Sequence, residues 1–289
     1  MEKKIERGQR FVAQHGEMFR CPLCHQEMLP DEKGLLCASG HRFDVSKKGT
    51  LFFLQHPVKT EYDQGMFAAR RKLIQGGMYE PLLAKLAQWL PKKGSLLDVG
   101  CGEGSFLDLL LKKQPQEVAV GFDISKAGVQ MATDFQSEAF WCVADLTNLP
   151  FADNQFDCVL NIFSPSNYHE FQRILKPSGQ LLKVVPGPRY LQELRQAFFP
   201  EDTTKQSYSN QLVQEKFTEA YLYNQSEKIT YEFQIPEALR LDLLEMSPLE
   251  WSASDEQKEK IKKQPLTKIT IDLLLLKGRI SLFCEKIMT

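Results

Sequence analysis

The sequence predicts an α/β protein in which a mostly parallel, doubly wound sheet follows a small metal-bound module. Three observations carry that expectation. Short apolar runs alternate with helical patterns between residues 95 and 187, the order that parallel βαβ units require. A glycine-rich turn, Gly100-Cys-Gly-Glu-Gly104, separates the first of those runs from a helical stretch. Ahead of them, residues 17–55 are turn-rich and dense in Cys and His. A length of 289 residues suits one large domain plus one small module.

Taken in order, residues 1–16 are polar and read as a loose arm or short helix. A polar link at 56–63 leads into a helix over Gly65–Leu73. Pro81 opens a second helix, with Leu82, Leu83, Leu86, Trp89 and Leu90 at helical spacing and Pro91 at its end. Leu96–Val99 is a short strand, and Ser105–Lys113 a helix whose lysines sit where the dipole favours cations. Strands follow at Val118–Ile124, Ala139–Ala144 and Phe156–Phe163, the last a continuous apolar run of the kind found in central parallel strands. Helices read at Ser125–Phe135 and Glu170–Leu175. A Pro177-Ser-Gly179 turn then precedes a strand at Gln180–Val185. The tail is less regular: helices at Arg189–Phe199 and Pro236–Met246, strands at Ile229–Phe233 and Thr267–Leu276.

Hydrophobic residues make up 43% and charged residues 25% of the chain, which excludes disordered, collagen-like and disulfide-scaffold classes. No run approaches the roughly 18 apolar residues of a membrane span, and the N-terminus lacks the apolar core of a secretory signal. Seven cysteines, an odd number, fit a reducing cytoplasmic compartment. The net charge is −1, yet residues 1–75 carry +4 and the remainder −5, and four of the five histidines lie in the first 56 residues. A polyanionic partner, if there is one, belongs on the N-terminal part.

Cys21-Pro-Leu-Cys24 and Cys37-Ala-Ser-Gly-His41 form a C-x2-C-x12-C-x3-H array. Three thiolates and one imidazole complete a tetrahedron with no open position, so the expected ion is structural zinc. A module of about 40 residues has too little core to fold alone, and zinc supplies the missing stability. His25, adjacent to Cys24, is a rival ligand less well placed than His41. Cys142 and Cys158 fall in predicted strands and read as small core residues. Cys101, inside the glycine-rich turn, has no nearby His in sequence to activate it, and Cys284 stands alone in the tail.

Gly100, Gly102 and Gly104 let the backbone turn tightly and approach a ligand. Their spacing lacks the G-x-G-x-x-G form, which disfavours a dinucleotide. Three carboxylates narrow the ligand. Asp98 precedes the first glycine by two residues, where it can meet a cationic amino-acid head group. Asp123 ends the second strand, where it can accept both ribose hydroxyls. Asp145 ends the third, where it can accept from an adenine amino group.

The runs LLDVGCGEGSF, FDIS, VADLTNLPF and ILKPSGQLL resemble a class I (Rossmann-like) S-adenosylmethionine-dependent methyltransferase over residues 95–187. A narrower likeness covers most of residues 20–280. CPLCHQEML, CxxGHRFDVSKKG, ARRKLIQGGMYEPL, DVGCGEG, LKPSGQLLKVVPGPRYLQEL and MSPLEW, in that order, resemble the large-subunit (23S) rRNA guanine-N1 methyltransferase family. The resemblance implies a zinc-binding, RNA-recognition module at 1–60 and an S-adenosylmethionine-dependent methyltransferase domain at 61–289. It implies zinc ligation by Cys21, Cys24, Cys37 and His41, and cofactor contacts from Tyr79, Gly102 and Glu103. It implies a 23S rRNA stem-loop as substrate and a homodimer, with no membrane partner. The family has His where Tyr190 stands, as a further cofactor contact, and Tyr where Thr50 stands.

The acceptor pocket is expected at the end of the fourth strand, Asn161-Ile-Phe-Ser-Pro165. Amine methyltransferases carry Asn/Asp-Pro-Pro-aromatic there. Ile162 and Phe163 replace the prolines, which disfavours an exocyclic amine. Phe163 is either a stacking surface for the target base or a core residue. Arg20, Arg42, Lys47, Lys48, Arg70, Arg71 and Lys72 are candidates for phosphate contacts, with Arg42, Lys47 and Lys48 favoured. The sequence names no general base. Two other readings stand beside this one. A small-molecule methyltransferase of quinone or metabolite type leaves the zinc array unexplained. A non-catalytic zinc RNA-binding protein leaves the intact carboxylates and glycines unexplained. Whether methylation confers macrolide-type resistance is open at this stage.

Overall fold

The computed structural model describes residues 2–56, 58, 61–206 and 208–279; Cys284 lies outside them. The chain opens with helix α1 (Lys4–His15), then three short strands, β1 (Met28–Pro30), β2 (Gly34–Cys37) and β3 (Arg42–Asp44), which form an antiparallel sheet. The charged arm is therefore a helix, because Phe11 and Val12 find an apolar surface to cover. β4 (Leu51–Phe52), α2 (Gln64–Gln75) and α3 (Glu80–Trp89) lead to the alternating region. That region runs β5 (Ser95–Val99), α4 (Ser105–Lys113), β6 (Val118–Asp123), α5 (Lys126–Ala132), β7 (Phe140–Val143), β8 (Phe156–Ile162), α6 (Tyr168–Ile174) and β9 (Leu175–Pro186). The last part holds α7 (Gln192–Phe198), α8 (Thr203–Gln206), α9 (Gln211–Ala220), β10 (Tyr223–Gln234), α10 (Asp242–Glu245), α11 (Asp255–Lys263) and β11 (Lys268–Arg279).

Eight strands form the large sheet in the order β10-β11-β9-β8-β5-β6-β7-β4. All neighbours from β9 to β4 are parallel, and β11 is antiparallel to both β9 and β10. The Pro177–Gly179 turn bulges out of β9, whose register against β8 jumps between Leu175 and Gln180. The strand order reverses at β5, which pairs with β6 on one side and β8 on the other. Ligands of open α/β sheets sit at such a reversal, outside the carboxyl ends of the strands.

Two apolar clusters pack on the sheet. One joins Leu73, Leu83, Leu86, Leu107 and Leu110 of α2–α4 with Leu96, Leu160 and Leu182. The other joins Phe11, Phe19, Met28, Leu35 and Phe53 of the N-terminal part with Leu97, Val99, Val120, Phe122 and Phe140 of the sheet. The zinc-array segment is thus a cover for one face of the sheet. The Phe11 and Phe140 rings stack with centroids 4.4 Å apart. Phe19 bridges to Phe151, and β4 extends the large sheet by pairing with β7. Polar ties run alongside: Lys4 Nζ to Asp134 at 2.9 Å and Asn148 Nδ2 donating to the Pro22 carbonyl at 2.7 Å. A division of the chain at residue 60 therefore leaves one strand of the large sheet, β4, on the N-terminal side. Among the described residues no helix is long and apolar enough to cross a membrane.

Candidate functional site

The array converges. The ligand atoms of Cys21, Cys24, Cys37 and His41 lie within 4.8 Å of one another. Cys21 and Cys37 Sγ each stand 3.4 Å from His41 Nδ1, and Cys24 Sγ stands 3.6 Å from Cys37 Sγ. Tetrahedral zinc with bonds of about 2.0–2.3 Å separates neighbouring ligands by roughly 3.5–3.8 Å, so the donor set fits the ion in both chemistry and spacing. Burial pushes the Cys21 thiol up to about 11, whereas hydrogen bonding from the Gln26 N–H draws Cys24 down to about 6. Zinc, which binds thiolates, acts on all of them in one direction. Gly40, at φ 81°, permits the turn from Cys37 to His41. His25, also at positive φ, is exposed and outside the cluster.

The second site lies at the carboxyl ends of the strands. β5 delivers the chain to the glycine-rich turn, where Gly100 takes φ 69° and Gly104 φ 86°. A Cβ on Gly100 would stand 2.6 Å from the Cβ of Ser164, and one on Gly104 would stand 2.8 Å from Ala132 and Trp141. Close approach, as well as conformation, therefore demands glycine at both. The Gly102 N–H donates to Asp123 Oδ2 and the Ser125 N–H to Asp123 Oδ1, both at 2.8 Å. Each oxygen is oriented by one backbone donor and keeps a lone pair for a ligand. Burial raises the Asp123 carboxyl, and the N–H donors oppose it. Asp145 accepts from the Thr147 N–H at 2.8 Å.

These groups line a cavity of about 800 Å³. Gly100, Gly102, Asp123 and Asp145 form its wall at β5–β7. Phe163, Ser164, Pro165 and Pro186 form it at β8–β9, and Tyr79 and Tyr190 also face it. Asp98, Glu103 and Gly104 are not in that lining. Asp98 is buried behind it with Oδ2 unpartnered among the described residues, its carboxyl pushed up to about 7 by burial and then by Asp123 and Glu103. A ligand ammonium is the kind of group that would satisfy it. The Glu103 carboxylate is instead engaged with Arg71 Nε and Ser105 Oγ, both at 2.8 Å. The cavity size, the glycine cradle, the oriented Asp123 and the orphaned Asp98 oxygen together fit a nucleoside bearing a cationic amino-acid tail.

The β8 end departs from the expected layout. Asn161 is fully buried and does not reach the cavity: its amide nitrogen donates to Ser164 Oγ and the Pro165 carbonyl, and its oxygen accepts from Ser166 Oγ and Lys183 Nζ. It shapes the loop below the site. Ser164 Oγ also donates to the Val99 carbonyl at 2.6 Å, tying that loop to the glycine-rich turn. Phe163 adopts φ 56°, costly for a residue with a side chain. Its ring packs 5.6 Å from both Tyr79 and Tyr190 and 6.0 Å from Phe106. The Tyr79 and Tyr190 hydroxyls share a hydrogen bond of 2.5 Å, and burial keeps both phenols neutral.

The basic candidates separate. Arg20 pairs with Glu170, Arg42 with Asp31, Arg71 with Glu103 and Lys72 with Asp242. Arg70 lines the cavity, while Lys47 and Lys48 are exposed on the N-terminal module. Arg195, Lys205 and the Met246–Leu249 stretch also line the cavity, and sequence reasoning gave them no role. Only the MSPLEW motif hinted at the last of these, since nothing in sequence joins such distant segments.

Two family models match: a methyltransferase domain at residues 97–183 and the zinc ribbon of RlmA, N-terminal, at 19–60. The Bacillus subtilis protein YxjB, described as a 23S rRNA (guanine-N1)-methyltransferase, is 41% identical over 90% of this chain and 96% of its own. The 23S rRNA (guanine(748)-N1)-methyltransferase of Streptomyces fradiae is 34% identical over 61% of this chain and 65% of its own. Among solved structures, a chain of the Haloferax volcanii complex between the Trm112 methyltransferase activator and a methyltransferase superposes with a TM-score of 0.50 at 23% identity, over 77% of this chain and 99% of that one. Phosphoethanolamine N-methyltransferase 2 of Haemonchus contortus, with S-adenosylhomocysteine, also reaches 0.50, at 16% identity, over 77% of this chain and 58% of that one. Both share its fold.

Proposed function

The chain belongs to the 23S rRNA (guanine-N1)-methyltransferase family, and on that premise we propose that it transfers a methyl group from S-adenosylmethionine to N1 of one guanine in a 23S rRNA stem-loop. The observation that carries the chemistry is the partition of one cavity along the strand order. Carboxylates at β6 and β7 suit a nucleoside, and an aromatic wall at β8 suits a planar base. S-adenosylmethionine, when bound, supplies a methyl group on a positively charged sulfur. Asp123 would accept from its ribose hydroxyls, Asp145 from its adenine amine, and Asp98 would balance its ammonium, while Gly100, Gly102 and Gly104 would admit it close to the backbone. Tyr79 and Tyr190 hold the sides of the site through their shared hydrogen bond, and Glu103 acts through Arg71 to fix the turn.

Phe163 stacks on the target guanine, which leaves its helix to reach the cavity. The enzyme's main work is to place N1 in line with the methyl group. Zinc held by Cys21, Cys24, Cys37 and His41 keeps residues 1–60 as a second RNA-facing surface, with Lys47 and Lys48 toward the phosphates. Residues 61–289 carry the chemistry. The same reading gives a cytoplasmic protein that works as a homodimer. A methyl group on N1 blocks Watson–Crick pairing, so primer extension on 23S rRNA from cells with and without the gene tests the reading. The expected result is one enzyme-dependent stop; no such stop, with methyl incorporation into small molecules instead, would replace it with a metabolite methyltransferase.

A further inference from the structure

The cavity is electrically lopsided. Its carboxylates, Asp123 and Asp145, stand at the ends of β6 and β7. The part beyond β9 carries Arg195 and Lys205, and among the described residues neither a carboxylate nor a histidine lines it. Lys205 has an acidic neighbour, Asp202, at 3.8 Å. Arg195 has no ion pair among the described residues. Its Nε donates to the Tyr190 carbonyl at 3.1 Å and an Nη to the Lys205 carbonyl at 3.3 Å, and its guanidinium lies 5.8 Å from the Tyr208 ring centroid. Two neutral carbonyls hold the group without neutralising it. A partly buried guanidinium with no countercharge is costly unless a ligand supplies one.

Guanine N1 demands such a group. N1 is an amide-type nitrogen bearing a proton, and its lone pair becomes a nucleophile only when that proton is lost. The negative charge then rests largely on O6. A protein can assist with a base at N1 or a cation at O6. The aromatic part of the cavity offers the second and, among its lining residues, no carboxylate or imidazole for the first.

We propose, resting on the guanine-N1 reading above, that Arg195 docks on O6 of the target guanine and stabilises its N1-deprotonated form, so that the proton leaves to water rather than to a protein base. The balance is simple. The N1–H proton passes to solvent, and N1 keeps the electron pair. That pair forms the bond to the methyl carbon, and the electrons of the broken carbon–sulfur bond stay on sulfur. The product is 1-methylguanine, a neutral thioether and one released proton.

Burial lowers the Arg195 guanidinium from its ordinary range, and Tyr190 and Tyr208 oppose that shift. Tyr190 is buried and held above the ordinary phenol range, so it stays neutral across the assay range. Arg70 and Lys205 are the other cations among the described lining residues, and Arg70 acts on Asp123, Tyr79 and Tyr190. Lys183 lies beneath the loop after β8, bonded to Asn161, the Ser164 carbonyl and Ser166 outside the lining.

The test is the pH profile of single-turnover methylation of a 23S rRNA stem-loop transcript, with the full chain and saturating S-adenosylmethionine. The unaltered enzyme should show a rate rising to a plateau, with its inflection below the N1 ionisation of free guanosine. Arg195→Gln should slow the reaction about 10- to 100-fold at neutral pH and move the inflection up by about one to two pH units. The KM for RNA should change far less than the rate. Arg195→Lys, which keeps the charge and loses the fork, should fall between them. Tyr208→Phe should leave the inflection in place. Cofactor binding by calorimetry shows that a variant is folded; if the glutamine variant fails it, the lysine variant carries the same test. N1 methylation with an unmoved inflection overturns the role of Arg195 alone. No N1 methylation by the unaltered enzyme overturns both this proposal and the reading beneath it.

Discussion

The N-terminal module and the large sheet bury apolar surface by opposite means. β1–β3 have only three or four residues each, and the converging Cys/His ligands do for them what strand length does elsewhere. β5 and β7 are buried along their whole length and need no such aid. Yet the two regions share one apolar cluster, in which Phe11 and Phe19 meet Phe140 and Phe151. The lesson is that the module is stapled by metal and finished by the sheet. Breaking either fastening should be felt on both sides.

The sharpest way to break that comparison is to remove the zinc. Cys37→Ser should lower zinc content and stability together, zinc being worth on the order of 10 kcal/mol to modules of this kind. Calorimetry should show one cooperative transition moved down, because the cluster is shared. An untouched transition for the sheet beside a lost one for the module would show that they fold independently. Phe140→Ala attacks from the other side. It removes a ring stacked on Phe11 and should cost about 3–5 kcal/mol while loosening α1, read as faster amide exchange over residues 4–15. Unchanged exchange there would contradict a shared core.

Next come effects confined to the cofactor side. Asp123→Ala should weaken S-adenosylmethionine binding about 10- to 100-fold, since it removes a charge-assisted acceptor worth roughly 1.5–3 kcal/mol. Zinc content should be unaffected. Equal affinity by calorimetry would mean that the carboxylate ending β6 is misassigned. The mildest effect concerns Asp98. Its carboxyl, at about 7, is neutral below that pH and ionised above it. An ammonium beside the unpartnered oxygen requires the ionised form. Affinity should therefore be flat above neutrality and fall up to about tenfold per pH unit below it, with a proton released on binding near pH 7. A pH-independent affinity would place the ammonium elsewhere.

Reading ahead of structure succeeded where the physics is local. Ser105–Lys113 is a helix at the bounds its pattern implies, and the zinc spacing needs only a tight turn. It failed where order is imposed from outside. β4 has two residues and exists because β7 presents an edge to it. α11 is almost wholly polar, with Ile261 alone buried, and begins on a Ser254–Gln257 capping box rather than an apolar stripe. β10 is polar over much of its length and pairs along all of it with β11, so only its Ile229–Phe233 stretch stood out. The cavity shows the same division. Gly100, Asp123 and Asp145 were readable because each stands at or just beyond the carboxyl end of a strand, whereas Asp98 lies within β5 behind the lining. Arg195 and Lys205 were not, because a folded chain brings them there from regions without a motif. Asn161 was assigned to the acceptor pocket, but its amide is consumed in holding the 164–166 loop.

The central claim is that metal-stapled module and sheet together serve N1 methylation of a guanine in 23S rRNA. The most direct measurement is nucleoside mass spectrometry of unmodified 23S rRNA treated with the purified, zinc-loaded full chain and S-adenosylmethionine. The account predicts one 1-methylguanosine per rRNA molecule. A methyl group on N2, N7 or a ribose, or no methylated nucleoside at all, would contradict it.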